Sequence, residues 1–204
     1  MGVCTIFMVI WYLRPSEGFG IRRRDLQRPV RGLATKWQLL LFPEERQDRS
    51  KTFAANDSVE VHCPWLPWFD EITPMLAEGN PDAVVFNFDY PTYLKVWNRC
   101  RQTLAITAVP YQGRHSGPSI DAALGVRSRS EIQARGRSKA LASVLRYEQR
   151  ARLLKTFNAL PAALQSHCLE CERRLQGLFL GGHRACDLVA PRTHGWLQVS
   201  AAAS

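Results

Sequence analysis

Apolar positions fall in blocks of different period along the chain. Residues 3–13 (VCTIFMVIWYL) are almost uniformly apolar and predict a buried helix, with Pro15 just beyond its end. "SEGFGIRRRDL" follows as a short helical or turn segment. "KWQLLLF" (36–42) is a compact apolar run closed by Pro43, and "SVEVHC" (58–63) alternates, so the two read as partner strands of a small antiparallel sheet. Between them the link is polar and ends at Asn56-Asp57, which puts Lys51 close to a hairpin. Residues 65–76 (WLPWFDEITPML) read as helix interrupted by proline, and 78–82 (EGNPD) as a loop. The segment 90–106 has helical spacing through positions 94, 97, 100 or 101, and 104.

A further element starts at Pro110 and passes through Gly113 and Gly117. Flanked by those glycines, Arg114 sits where backbone is able to approach a ligand closely. "SEIQARG" begins with Ser130 as N-cap and Gln133 three residues on, and Gly136 is suited to end it in the left-handed conformation. The next helix carries Leu141, Val144, Leu145, Leu153, Leu154 and Phe157 on an apolar stripe, with Tyr147 off it, facing a groove. A last helix spans "PAALQSHCLECERRLQGLFLGG". The fold class expected is α+β, mostly helical, with one small antiparallel sheet. The expected organisation is a main domain over residues 1–160, a helical extension over 161–190 and a disordered tail over 191–204.

Charge narrows the class of partner. The 204 residues carry a net +9, and only five of the 27 basic residues are lysines. Arginine offers a planar fork of donors that matches phosphate oxygens two at a time, so this excess favours a polyanion, nucleic acid ahead of a membrane surface. Between Arg127 and Lys155, nine basic residues face only Glu131 and Glu148. Such a run is also compatible with a plain solvated face. The six cysteines follow no secretory signal, and the first apolar run is far too short to span a bilayer, so an intracellular protein with reduced thiols is expected, nuclear if the source is eukaryotic. Opening almost inside an apolar helix suggests a truncated start.

Four stretches carry candidate chemistry: "YLRPSE" (12–17), "SKTFAANDSV" (50–59), "PYQGRHSGPS" (110–119) and "RGRSKALASVLRY" (135–147). In this order they resemble the catalytic domain of the tyrosine recombinase (phage integrase) family, over about residues 5–155. That family has an arginine in a G-L-R-x-S-E-like motif, a hairpin lysine, H-x-x-R-H, then a His or Trp nine residues before a tyrosine. The spacing from Ser138 to Tyr147 is also nine.

The resemblance implies DNA breaking and rejoining through a phosphotyrosyl intermediate, with Tyr147 as nucleophile, Arg14 and Arg114 as clamp arginines and Lys51 as general acid. It gives Glu17 and His115 supporting roles. Tyr111 and Ser138 stand where the family has a histidine and a His or Trp, a departure that bears on rate. Arg135, Arg137, Lys139, Arg146 and Arg150 are the expected contacts to double-stranded DNA, on which the chain would act as a homo-oligomer, without membrane or cofactor. A catalytically weak DNA-binding remnant is the alternative reading. Family members usually have a helical domain before this one that closes around DNA; a chain without it would bind weakly and with strong salt dependence.

One rival signal lies near the end. Cys168-x-x-Cys171 and His183-x-x-Cys186, eleven residues apart, have spacing able to hold zinc in an interaction protein. The other reading is an amphipathic helix with incidental thiols.

Overall fold

The computed structural model describes residues 1–43, 57–138, 144 and 150–181, with no account of the side chains of Arg150 and Arg152. Lys51, Lys139, Arg146, Tyr147, His183 and Cys186 lie outside the described residues, as does the expected tail. The fold is α+β, mostly helical, with one three-stranded antiparallel sheet.

Helix α1 (Gly2–Ile10) is driven by its uniform apolarity: Cys4, Phe7, Met8 and Ile10 are buried. Trp11 closes it, and Tyr12 then turns the chain with φ 54°, a left-handed conformation uncommon for a residue with a Cβ. Arg14 is extended and caps α2 (Pro15–Phe19), with Pro15 at the first helical position, where a missing N–H is harmless. A 3-10 turn (Arg23–Asp25) leads to β1 (Leu26–Gln27). The Arg22-Arg23-Arg24 run is a tether: Arg23 Nη1 donates to the Leu76 carbonyl at 2.9 Å, and Arg24 pairs with Asp82 at 2.7 Å.

Strands β2 (Gln38–Leu41) and β3 (Asp57–Glu60) pair as the alternation predicts, with Leu39 opposite Val59. Strand β1 adds to the other edge of β2, Leu26 opposite Leu39. Leu39, Leu41, Val59 and Val61 face the core, where they meet Phe7, Trp11, Phe69 and Phe86. Phe7 lies at its centre, with ring centroids 3.8 Å from Trp11 and 4.8 Å from Phe69. A 3-10 segment (Pro67–Glu71) runs directly into α3 (Ile72–Ala77). Helix α4 (Tyr90–Thr103) is capped by Asp89, whose carboxylate accepts from the Thr92 amide at 2.9 Å.

Helix α5 (Gln112–Leu124) crosses α1 at backbone contact. A Cβ on Gly117 would lie 1.9 Å from the Val9 carbonyl oxygen and 2.7 Å from the Tyr12 ring, so only glycine fits. The close approach foreseen around Arg114 is therefore made by α1 and not by a ligand. Helix α6 (Arg129–Arg135) corrects two local expectations. Its cap is Ser128, not Ser130, and Glu131 completes the capping box, because a carboxylate one turn on reaches back to the Ser128 amide at 2.7 Å. Gly136 stays right-handed at φ −76°, and the left-handed residue is Arg137, at φ 50°.

Val144 is buried against Tyr12 and Ile132, as the stripe requires. Leu141 and Leu145 of that stripe lie outside the described residues, and on α7 (Arg150–Asn158) Leu153, Leu154 and Phe157 are exposed. Helix α8 (Ala162–Phe179) returns to the start of the chain, where Phe179 stacks on Trp68 and touches Gly2. Among the described residues no helix is long and apolar enough to cross a membrane.

Candidate anion-binding site

Glu17 gathers three arginines from three distant segments. The turn after α1 supplies Arg14, whose Nη1 lies 2.7 Å from Glu17 Oε1, while its amide donates to Oε2 at 2.6 Å. In the first turn of α5, Arg114 sends Nη1 to the Tyr12 carbonyl at 2.6 Å and to Glu17 Oε2 at 3.4 Å, and Nη2 to the Gly136 carbonyl at 2.7 Å. The turn after α6 supplies Arg137, with Nη2 2.7 Å from Glu17 Oε2. All four side chains are little exposed: 18% for Arg14, 10% for Arg114, 8% for Arg137 and 2% for Glu17.

Like charges at such range need a reason to stay together. Burial lowers the pKa of Arg114 and of Arg137; Glu17 opposes the shift in both. Asp57, at the start of β3, also favours the charged form of Arg137. Among the described residues, three guanidiniums thus meet one bonded carboxylate and a second nearby, which leaves positive charge in excess there. A cluster with that excess, built from planar donor forks, is suited to hold a tetrahedral oxyanion. Burial, then Arg114, holds the pKa of His115 below its ordinary value, so its ring is neutral at physiological pH. Tyr111, half exposed, packs edge-on against that ring with centroids 5.0 Å apart.

Arg14, Glu17, Arg114 and Arg137 thus come together, with His115 following Arg114 on α5 and Tyr111 at the N-cap of that helix. Ser138 follows Arg137 directly and is partly buried, its carbonyl accepting from Gln133 Nε2 at 3.1 Å. Arg135 is placed elsewhere. Expected on a DNA-facing surface, it is buried, and its donors go to carbonyl oxygens: Nε and Nη2 to Ile10 at 3.0 and 2.8 Å, and Nη1 to Glu60 at 2.8 Å. Burial pushes its pKa down to about 10, which leaves it charged at neutral pH as a tie between α6, α1 and β3. Its guanidinium also lies 5.5 Å from the Tyr12 ring centroid.

A second buried acid, Asp121, organises the neighbouring contacts. It accepts from the Tyr12 phenol and from Trp65 Nε1 at 2.7 Å, and pairs with Arg127 Nε at 3.3 Å. Arg127 in turn donates to the His62 carbonyl at 2.7 Å. Neither Asp121 nor Trp65 stands in a motif. The signal for Asp121 was its helical spacing, seven residues and so about two turns after Arg114 on one face of α5.

Of the zinc-like set, Cys168 and Cys171 on α8 fall among the described residues, and His183 and Cys186 do not. Cys168 is exposed and Cys171 half-buried, and burial raises the pKa of both thiols. Cys171 Sγ lies 3.4 Å from His167 Nε2, but among the described residues no group of three potential ligands gathers. Comparison of the chain with protein-family models, curated proteins and solved structures found no match.

Proposed function

We propose that this chain breaks and rejoins DNA strands through a phosphotyrosyl intermediate, with the fold and reaction of a tyrosine recombinase catalytic domain. The observation that carries the reading is the meeting of Arg14 and Arg114, 100 positions apart, at one buried carboxylate, with positive charge in excess among the described residues. In this reading the arginines hold the non-bridging oxygens of the scissile phosphate and offset the charge that grows in the phosphorane-like transition state. The Tyr147 phenol attacks phosphorus, and the bond to the 5′ oxygen breaks. Lys51 gives a proton to that oxygen. His115, neutral beside Arg114, is able to accept the proton that the phenol loses. The arginine-rich run beyond Arg135 supplies contacts to double-stranded DNA, and the chain acts as a homo-oligomer on it. Integration or excision of a mobile element is the kind of process such chemistry serves.

The test is a nicked suicide duplex, which traps the covalent complex because the freed strand end diffuses away. Wild-type protein should yield a protein–DNA adduct by denaturing gel, and Tyr147→Phe should yield none. One observation favours a second reading, a DNA-binding protein that no longer cleaves. The donors of Arg114 already have acceptors at Tyr12, Gly136 and Glu17, so an incoming phosphate must displace some of them. Salt-dependent duplex binding with no adduct from the wild-type protein would establish that reading instead.

A further inference from the structure

We infer that Arg137 is a third arm of the phosphate clamp, a catalytic residue that contacts the same oxyanion as Arg14 and Arg114. The inference rests on the reaction proposed above and deepens it. In the sequence, Arg137 is one more cation in a basic run. In the structure it has left that run and turned back onto Glu17.

Three observations carry the argument. First, Arg137 is left-handed at φ 50° although a glycine stands immediately before it, with φ −76°. A long side chain in that conformation is strained, and strain held at one residue is a mark of a functional position. Second, the conformation delivers the guanidinium to the cluster, with Nη2 2.7 Å from Glu17 Oε2, the oxygen that Arg114 also approaches. Third, its donors are poorly matched. Nη2 reaches the Tyr12 carbonyl and Nη1 the Arg135 carbonyl only at 3.4 Å, and Nε is buried without a hydrogen-bond partner among the described residues. Two residues earlier, Arg135 shows what a structural arginine looks like here: Nε and both terminal nitrogens bonded to backbone oxygens. Strain together with unmet donors, beside two other guanidiniums, describes a group kept ready for an anion. A phosphodiester, with two non-bridging oxygens, fits a site of several donor forks.

The experiment compares wild-type protein with Arg137→Gln, Arg137→Lys and Arg137→Gly, and with Arg31→Gln as a control on an exposed arginine. Adduct formation on the suicide duplex is timed at saturating DNA, and melting temperature is recorded with and without inorganic phosphate. Arg137→Gln should slow adduct formation by about 100-fold, and Arg137→Lys by about tenfold, since lysine keeps the charge and loses the fork. Arg137→Gly should be as slow as Arg137→Gln while melting no lower than wild type, because glycine is at ease at this φ. The rise in melting temperature with phosphate should shrink by at least about half in all three and stay intact in Arg31→Gln. An unchanged rate and an unchanged phosphate effect in the Gln variant would overturn the inference. So would losses of rate that track a lower melting temperature in every Arg137 variant, the behaviour of a structural residue. If wild-type protein forms no adduct, the reaction reading fails, and the phosphate effect alone still decides whether Arg137 serves an anion site.

Discussion

Glu17 and Asp121 are both buried acids among arginines, and one residue, Tyr12, touches both neighbourhoods: its carbonyl accepts from Arg114, and its phenol donates to Asp121. The two differ in how fully their charges are answered. Around Asp121, donors and acceptors are matched: Tyr12, Trp65 and Arg127 reach the carboxylate, and what Arg127 and Arg135 have left goes to carbonyl oxygens. Around Glu17, three guanidiniums share one bonded carboxylate, and one of them keeps a buried nitrogen without a hydrogen-bond partner among the described residues. A saturated cluster holds elements together. An unsaturated one of similar composition leaves capacity for a ligand.

The comparison breaks most visibly at Asp121. Asp121→Ala strands the Tyr12 and Trp65 donors and leaves buried arginine charge without its partner. It should therefore lower unfolding stability by about 3–5 kcal/mol, read from the urea midpoint, and added phosphate should restore none of it. Glu17→Gln should cost less, about 2 kcal/mol, because the isosteric amide still accepts hydrogen bonds through its oxygen and Asp57 still offsets part of the arginine charge. Phosphate should restore a large part of that loss. A Glu17 variant indifferent to phosphate, or an Asp121 variant rescued by it, would erase the distinction between the two sites.

The smallest effect concerns pH. His115 is held below its ordinary pKa by burial and by Arg114, so near pH 6 the unfolded chain binds more protons at this position than the folded one. Its contribution to stability is therefore complete above about 6.5, the unperturbed value, and is lost as pH falls towards the lowered folded pKa. Partial exposure keeps the effect small. His115→Gln should flatten the pH dependence of the urea midpoint between 5 and 7 only slightly, and in that direction.

Sequence reading succeeded where a local period reports a local fact. The alternation in "SVEVHC" and the apolar run "KWQLLLF" are strands because one face of each must be buried, and the pairing of Leu39 with Val59 follows. Strand β1 was not legible, since two residues, Leu26 and Gln27, are too few to show any period. Arg137 rather than Gly136 takes the left-handed turn because tertiary contacts of the side chain outweigh the backbone preference. Leu153, Leu154 and Phe157 read as core by spacing and are exposed, as spacing names a shared face without saying what covers it. In the site, the motifs named Arg14, Arg114 and Glu17. That Arg135 is a buried tie and Arg137 a member of the cluster depends on where a chain 100 residues away lies, which no neighbouring residue encodes.

The glycine contact between α1 and α5 also has a consequence in time. Arg114 reaches Tyr12 across 102 positions of sequence, and its other nitrogen waits for the carbonyl of Gly136. Loop closure over such a span is slow compared with forming a helix. During synthesis Arg14 and Glu17 emerge as an ordinary helix-start pair, chemically unremarkable, and remain so until α5 and the turn after α6 have left the ribosome. The Glu17 cluster is therefore completed late, and a product that stops short of residue 136 keeps Arg14, Glu17 and Arg114 but lacks Arg137 and the Gly136 carbonyl that Arg114 uses.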